Sequence, residues 1–191
     1  MSQDAASPAS TPIQVERSYN AEVEDLWALW TTNEGFEAWW GPEGYRVEVH
    51  ELDLRVGGAL VYDMIADAPE QIEYMKQSGM APSHATRGRF TEVAPLRTLE
   101  ILHVIDFIPG LEPYDNRIRV EFSSEDGRAS MAVTIEPHPD PEWTRTSIKG
   151  FESQLTKVPA ALAARMDIRA PKMSSTVSIP GPPESCARRT L

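Results

Sequence analysis

The residues with which this chain could do chemistry are few. His50, His84, His103 and His138 are scattered, at no spacing that suggests a metal site. The single cysteine, Cys186, cannot form an internal disulfide and sits near the C-terminal end. CxxC, HExxH, P-loop, GxGxxG and GxSxG patterns are absent, and no serine or cysteine has a credible catalytic partner. General acid–base work is what remains, and His103 is its best carrier. Leu99, Ile101, His103, Ile105 and Phe107 share one phase of a strand expected over 97–108. That phase sets the imidazole among apolar neighbours, where burial can poise its pKa near neutrality. Tyr62, in phase with Leu60 and Met64, is the second candidate, a hydroxyl able to orient a carbonyl or phenol. The simpler reading of a lone histidine on such a face is hydrogen-bonded core. Asp63 and Asp106 fall on the opposite faces and are expected in solvent. No metal and no cofactor is expected.

The elements that must position these groups are clearest from Asn20 to Met64. Val23, Leu26, Trp27 and Trp30 recur at helical spacing, with Asn20 ahead of them as the expected N-cap. Thr32 and Asn33 can cap a second, shorter helix that Gly41-Pro42 ends. Val47, Val49, Leu52 and Leu54 lead to Gly57-Gly58, after which Leu60, Tyr62 and Met64 alternate with other residues. This predicts a hairpin whose paired glycines supply positive φ.

Before this stretch, 1–12 is a Ser/Ala/Pro-rich leader expected to be disordered, and 13–19 reads as a first strand. After it, 67–87 reads as an insertion with a short helix from Pro69, a possible lid or a surface elaboration. Strands are expected at 88–93 and 97–108. Two more carry Ile118, Val120 and Phe122, then Met131, Val133 and Ile135, inward. A final helix carries Ile148, Phe151, Leu155, Val158 and Leu162 as one stripe, with Pro159 marking a kink or break. The domain spans 13–168, and 169–191 reads as a disordered tail.

The segments VEDLWALWT, WWGP and DLRVGGALVYDM, with GFESQL later, resemble homologues of the C-terminal domain of the heat-shock-protein-90 ATPase activator. That family lies within the START-like (SRPBCC) superfamily, with polyketide cyclases and birch-pollen-allergen-like proteins. The resemblance, from about Ile13 to about Met166, implies an α+β helix-grip fold. In it a curved antiparallel sheet wraps a long C-terminal helix, with two short helices between the first and second strands. It also implies an internal apolar cavity. Trp39, Trp40, Tyr62, Met64, Phe90, His103, Phe107, Met131, Phe151 and Leu155 are its candidate walls, although any of them can be plain core.

Composition bounds the partners. A net charge of −11 argues against nucleic acid and against an anionic membrane surface. No apolar run of about 18 residues is present, and the chain reads as cytoplasmic. Three functions stay open. The first is binding of a small hydrophobic or aromatic molecule. The second is a cyclase- or hydrolase-like enzyme using His103 and Tyr62. The third, which the resemblance implies, is a co-chaperone stimulating a chaperone ATPase. It is disfavoured, since the resemblance covers the C-terminal domain of those activators alone.

Overall fold

The computed structural model of the chain describes residues 11–169 apart from 78, 80 and 109. The element order is β1 (Ile13–Tyr19), α1 (Val23–Thr31), α2 (Asn33–Trp39), β2 (Tyr45–Leu52), β3 (Ala59–Ala66), α3 (Pro69–Gln77), β4 (Ser83–Ala94), β5 (Thr98–Ile105), β6 (Tyr114–Glu125), β7 (Arg128–Ile135), α4 (Pro141–Leu155) and α5 (Val158–Arg169). The strands form one antiparallel sheet in the order β1-β7-β6-β5-β4-β3-β2, curled into a half-barrel around the C-terminal helices. Register shifts at Val49/Glu51 and Phe90/Glu92 put bulges in β2 and β4, and extra residues of this kind bend strands and raise their twist. This is the α+β helix-grip architecture that the resemblance implies.

Alternation along each strand sorts the sheet into two faces. Leu60, Tyr62, Phe90, Leu99, Ile101, Val120, Met131 and Val133 are buried against the helices. On the outer face Arg87 pairs with Asp106, Arg117 with Glu100 and Glu136, and Arg119 with Glu92 and Glu100. Arg89 and Arg117 flank Leu102 across the strands, and Leu102 is itself buried on this charged face. Long arginine stems can shield such a residue while their guanidinium groups stay wet.

Local chemistry sets the corners. Thr32 caps α2: its Oγ1 accepts from the Gly35 amide at 3.0 Å and donates to the Ala28 carbonyl at 2.9 Å. A Cβ on Gly35 would come within 2.1 Å of the Ala28 carbonyl oxygen, so α1 and α2 can meet this closely only at a glycine. The β2–β3 turn uses its two glycines differently from the expectation. Gly57 supplies positive φ (+82°), whereas Gly58 is required because a Cβ would sit 1.9 Å from the Asp53 carbonyl oxygen.

Three boundaries differ from the sequence reading. The residue ahead of α1 is Glu22, which makes no side-chain cap; Asn20 is two residues too early to reach the free amides. β4 begins at Ser83, so the last five residues of the expected insertion, 83–87, are strand, and α3 is anchored through buried Met75. β5 ends at Ile105, leaving Phe107 beyond the ladder, and β6 begins at Tyr114. The break expected near Pro159 is present: the C-terminal helix is two helices, interrupted at Thr156-Lys157. Proline has no amide proton for an intrahelical bond but is accommodated in the first turn of α5. Residues 1–10 and 170–191, expected as leader and tail, lie outside the described residues.

Candidate functional site

The inner face opposite α4 carries two aromatic clusters. The deep one begins with the two short helices. Trp30 of α1 meets Trp39 and Trp40 edge-on, with centroids at 4.8 and 5.5 Å, and Phe36 stacks on Trp40 at 4.8 Å. Phe151 of α4 closes the group from the helix side, 6.5 Å from Trp39 and 6.3 Å from Trp40. Each such pair contributes about 0.5–1.5 kcal/mol beyond the burial of its surface. Trp39 Nε1 is satisfied by the Leu29 carbonyl at 3.0 Å, and Trp40 Nε1 donates to the Tyr62 hydroxyl at 3.0 Å.

Tyr62 and His103 bring polar atoms into these walls. Burial pushes the Tyr62 hydroxyl up to about 12, opposed by its bonds with Trp40 and Thr86. The His103 ring lies nearly parallel to Trp40 (11°, centroids 6.1 Å) and edge-on to Tyr62 at 6.2 Å. Only 4% of His103 is exposed, its Nε2 has no hydrogen-bond partner among the described residues, and burial lowers its pKa to about 4. The ring has room because the residue beside it on β4 is Gly88, where a Cβ would stand 3.3 Å from His103 Cδ2. On the other side His103 pairs with Asn116, whose side-chain amide is held by the Glu136 carbonyl at 2.8 Å.

The second cluster is the rim, where β4 begins, β5 ends and β6 begins. His84 packs on Phe107 at 4.6 Å, Phe107 on Trp143 of α4 at 6.1 Å, and Trp143 on His138 at 6.3 Å. His138 Nδ1 and the Tyr114 hydroxyl share a hydrogen bond of 2.6 Å. Desolvation holds the pKa of His84 and of His138 below the ordinary imidazole value, with Asp63 and Asp106 opposing it at His84.

One helix joins the two clusters. Trp143, Ser147 and Phe151 fall at i, i+4 and i+8, on one stripe of α4. The stretch from 143 to 151 measures about 12 Å along the axis, with a small serine between the two rings. The C-terminal end of α4 is tied to the loop after α2. Gln154 Oε1 accepts from Gly41 N, Ser153 Oγ accepts from Glu43 N, and Lys157 Nζ reaches the Trp40 and Tyr45 carbonyls. The N-terminal end is capped locally, by Asp140 on the Glu142 amide, and Thr144 Oγ1 accepts from His138 N.

Of the residues named from sequence, Trp39, Trp40, Tyr62, His103 and Phe151 are joined by ring contacts, and Phe107 belongs to the rim. Met64 is partly buried against the core, while Phe90, Met131 and Leu155 are buried within it. Phe90 is bonded through its backbone to the Gly57-Gly58 turn. Sequence reasoning missed Thr86, Gly88, His84, Asn116 and Trp143. Extending β4 back to Ser83 would have put His84, Thr86 and Gly88 in phase with Phe90, and the α4 stripe followed two turns back from Phe151 reaches Trp143.

Among the described residues no group of three or more His, Cys, Asp and Glu is arranged to hold a metal ion. A separate surface cleft of about 270 Å³ lies by β1, β6 and β7, beside Glu16, Glu121 and the Ser18–Ser130 hydroxyl pair, bonded to each other at 2.7 Å. Ser18 and Ser130 satisfy each other there.

Comparison with known proteins agrees with this geometry. Residues 20–163 match the family model described as Activator of Hsp90 ATPase homolog 1-like protein. Protein CV1439 from Chromobacterium violaceum is 22% identical, with a TM-score of 0.66 over 79% of this chain and 96% of that one. The AHSA1 protein from Silicibacter pomeroyi is 21% identical, with a TM-score of 0.63 over 81% and 99%. The AHSA1-like protein from Aeromonas hydrophila is 18% identical, with a TM-score of 0.54 over 81% and 94%. These likenesses concern the fold. No functionally curated protein matches. With a family match over residues 20–163, most of the chain, the chain belongs to the Activator of Hsp90 ATPase homolog 1-like family.

Proposed function

We propose that this domain binds a small hydrophobic or aromatic molecule between the sheet and α4. The observation that carries the reading is His103. It is a fully buried imidazole with an unpartnered Nε2, ringed by Trp40, Tyr62 and residues of an apolar face. Binding sites of this kind pair apolar walls with one or two fixed polar groups. An isolated buried polar atom costs about 1–3 kcal/mol, and a ligand that bonds to it offsets this.

The enzyme reading uses the same residues, with His103 and Tyr62 as the acid–base pair. Their titration speaks for binding instead. A hydroxyl raised to about 12 and an imidazole lowered to about 4 stay neutral across the physiological range. Efficient proton transfer favours a pKa near the working pH. A chaperone partner would be favoured by an exposed apolar patch beside Trp39 and Trp40, and both are buried.

Native mass spectrometry of the protein from its own host, followed by denaturing extraction, tests the reading. Reproducible retention of one apolar compound, lost on His103→Phe, is the expected outcome. A clean apo mass with no thermal shift across a hydrophobic ligand library would overturn it.

A further inference from the structure

We propose that the outer face of β1, β7 and β6 is a docking surface for this chain's own C-terminal segment, with the arginine pair Arg188-Arg189 seated in the cleft between Glu16 and Glu121. Strand register builds that cleft. Glu16, Ala132 and Glu121 stand in one row across the three strands, and Ser18, Ser130 and Ser123 in the next. Two strand spacings put the Glu16 and Glu121 Cα atoms about 10 Å apart, with only the Ala132 methyl between them. The floor is therefore short side chains and the walls are carboxylates, enclosing about 270 Å³.

The sheet itself does not supply the cation these carboxylates need. Elsewhere on the outer face arginines answer the acids: Arg87 pairs with Asp106, Arg89 with Asp115, and Arg117 with Glu100 and Glu136. The ladder ends at Arg119, which is held by Glu92 and Glu100 and stands 3.8 Å from Glu121. On β7 the next positions are Ser130 and Ala132, which carry no charge. The Glu16 carboxylate has no ion pair or hydrogen bond among the described residues. Only its carbonyl is held, by Arg17, whose other terminal nitrogen turns to Glu152 of α4.

A cation that fits is on the chain itself. Residues 170–191 carry Lys172, Arg188 and Arg189 against the single acid Glu184, in a chain of net charge −11. They also leave the described domain at the right place. Arg165, one turn before the end of α5, lies 3.9 Å from Asp25 of α1, and α1 follows closely on the end of β1 at Tyr19. The segment thus departs at the β1–α1 corner, the end of β1 that carries Ser18. Extended, the stretch from 169 to 188 spans up to about 60 Å, ample to bring the arginines round the edge of β1. A guanidinium matches a carboxylate with two parallel hydrogen bonds. Such an exposed pair is weak between separate molecules, but the tether sets an effective concentration on the order of millimolar.

Cys186, the chain's one cysteine, stands two residues before Arg188, so a nitroxide attached there reports where the segment goes. In proton–nitrogen spectra of the labelled full chain at low salt, the amides of Ser18, Ser130 and Ala132 should fall about threefold or more in intensity, while those of His84 and Trp143 keep theirs. Glu16→Gln with Glu121→Gln, both at exposed side chains, should restore the lost intensity, and so should Arg188→Gln with Arg189→Gln. Salt at about 0.5 M, which shortens the screening length to about 4 Å, should do the same. Broadening spread evenly over the surface, or broadening that survives either double substitution, overturns the proposal. So does broadening in a mixture of nitroxide-bearing chain with isotope-labelled chain that lacks the nitroxide, because the occupant is then a second copy.

Discussion

The deep and rim clusters are built from the same side chains, tryptophan, a second aromatic residue and histidine, yet they are different objects. In the deep cluster Trp30 of α1 and Phe36 and Trp39 of α2 are wholly excluded from solvent. In the rim Phe107, Tyr114 and Trp143 are half-buried, with only the first turns of α4 above them. Histidine shows the contrast best. His138 finds a partner in Tyr114, whereas His103, the more deeply buried of the two, has an unsatisfied Nε2. Burial alone would have favoured the opposite arrangement, because an unpaired polar atom is most costly where water is absent. The difference teaches that the deep end combines full burial with one unused polar atom, whereas the rim is half-exposed and its histidine is satisfied.

The largest expected break in this comparison is truncation at each end. Trp39→Ala should destabilise the domain by about 3–5 kcal/mol, against about 1–2 kcal/mol for Trp143→Ala, both read by chemical denaturation. Equal losses would mean that the rim is core and not an entrance.

Next in size is the response to acid. The His103 pKa in the folded state lies below its unfolded value. Its stabilising share is therefore complete above about 6.5 and is lost as pH falls toward 4. That loss is on the order of 3 kcal/mol, and His103→Phe should remove it from the stability–pH curve. His84 and His138 shift in the same direction, so the variant keeps a shallower acid limb. An unchanged curve in His103→Phe would contradict the burial argument.

The hydrogen bonds should rank the same way. Tyr62→Phe strands the buried Trp40 Nε1 proton and should cost about 1–3 kcal/mol, partly recovered by adding Trp40→Phe. Tyr114→Phe removes the bond to His138 in a wetter setting and should cost about 1 kcal/mol or less.

Much of the deep cluster was legible in the sequence. Helical spacing from Val23 to Trp30, the Trp39-Trp40 pair and the alternation around Tyr62 and His103 are local patterns, and each element they imply is present. The rim was not legible, for a physical reason. Its residues come from element ends, at His84, Phe107, Tyr114, His138 and Trp143, where periodicity has just begun or just stopped. Their meeting depends on long-range strand register, which no local window contains. Gly88 is a further case. In sequence it looks like a strand start, and only the register beside His103 gives it a purpose.

The account turns on whether His103 Nε2 is where a ligand is recognised. Long-range proton–nitrogen spectra of the imidazoles, recorded with and without 2-naphthol, address this most directly. The prediction is a large shift of His103 Nε2, smaller shifts at His84 and His138, and none at His50, which pairs with Asp63 on the outer face. A bound state in which His103 Nε2 does not move would contradict the account.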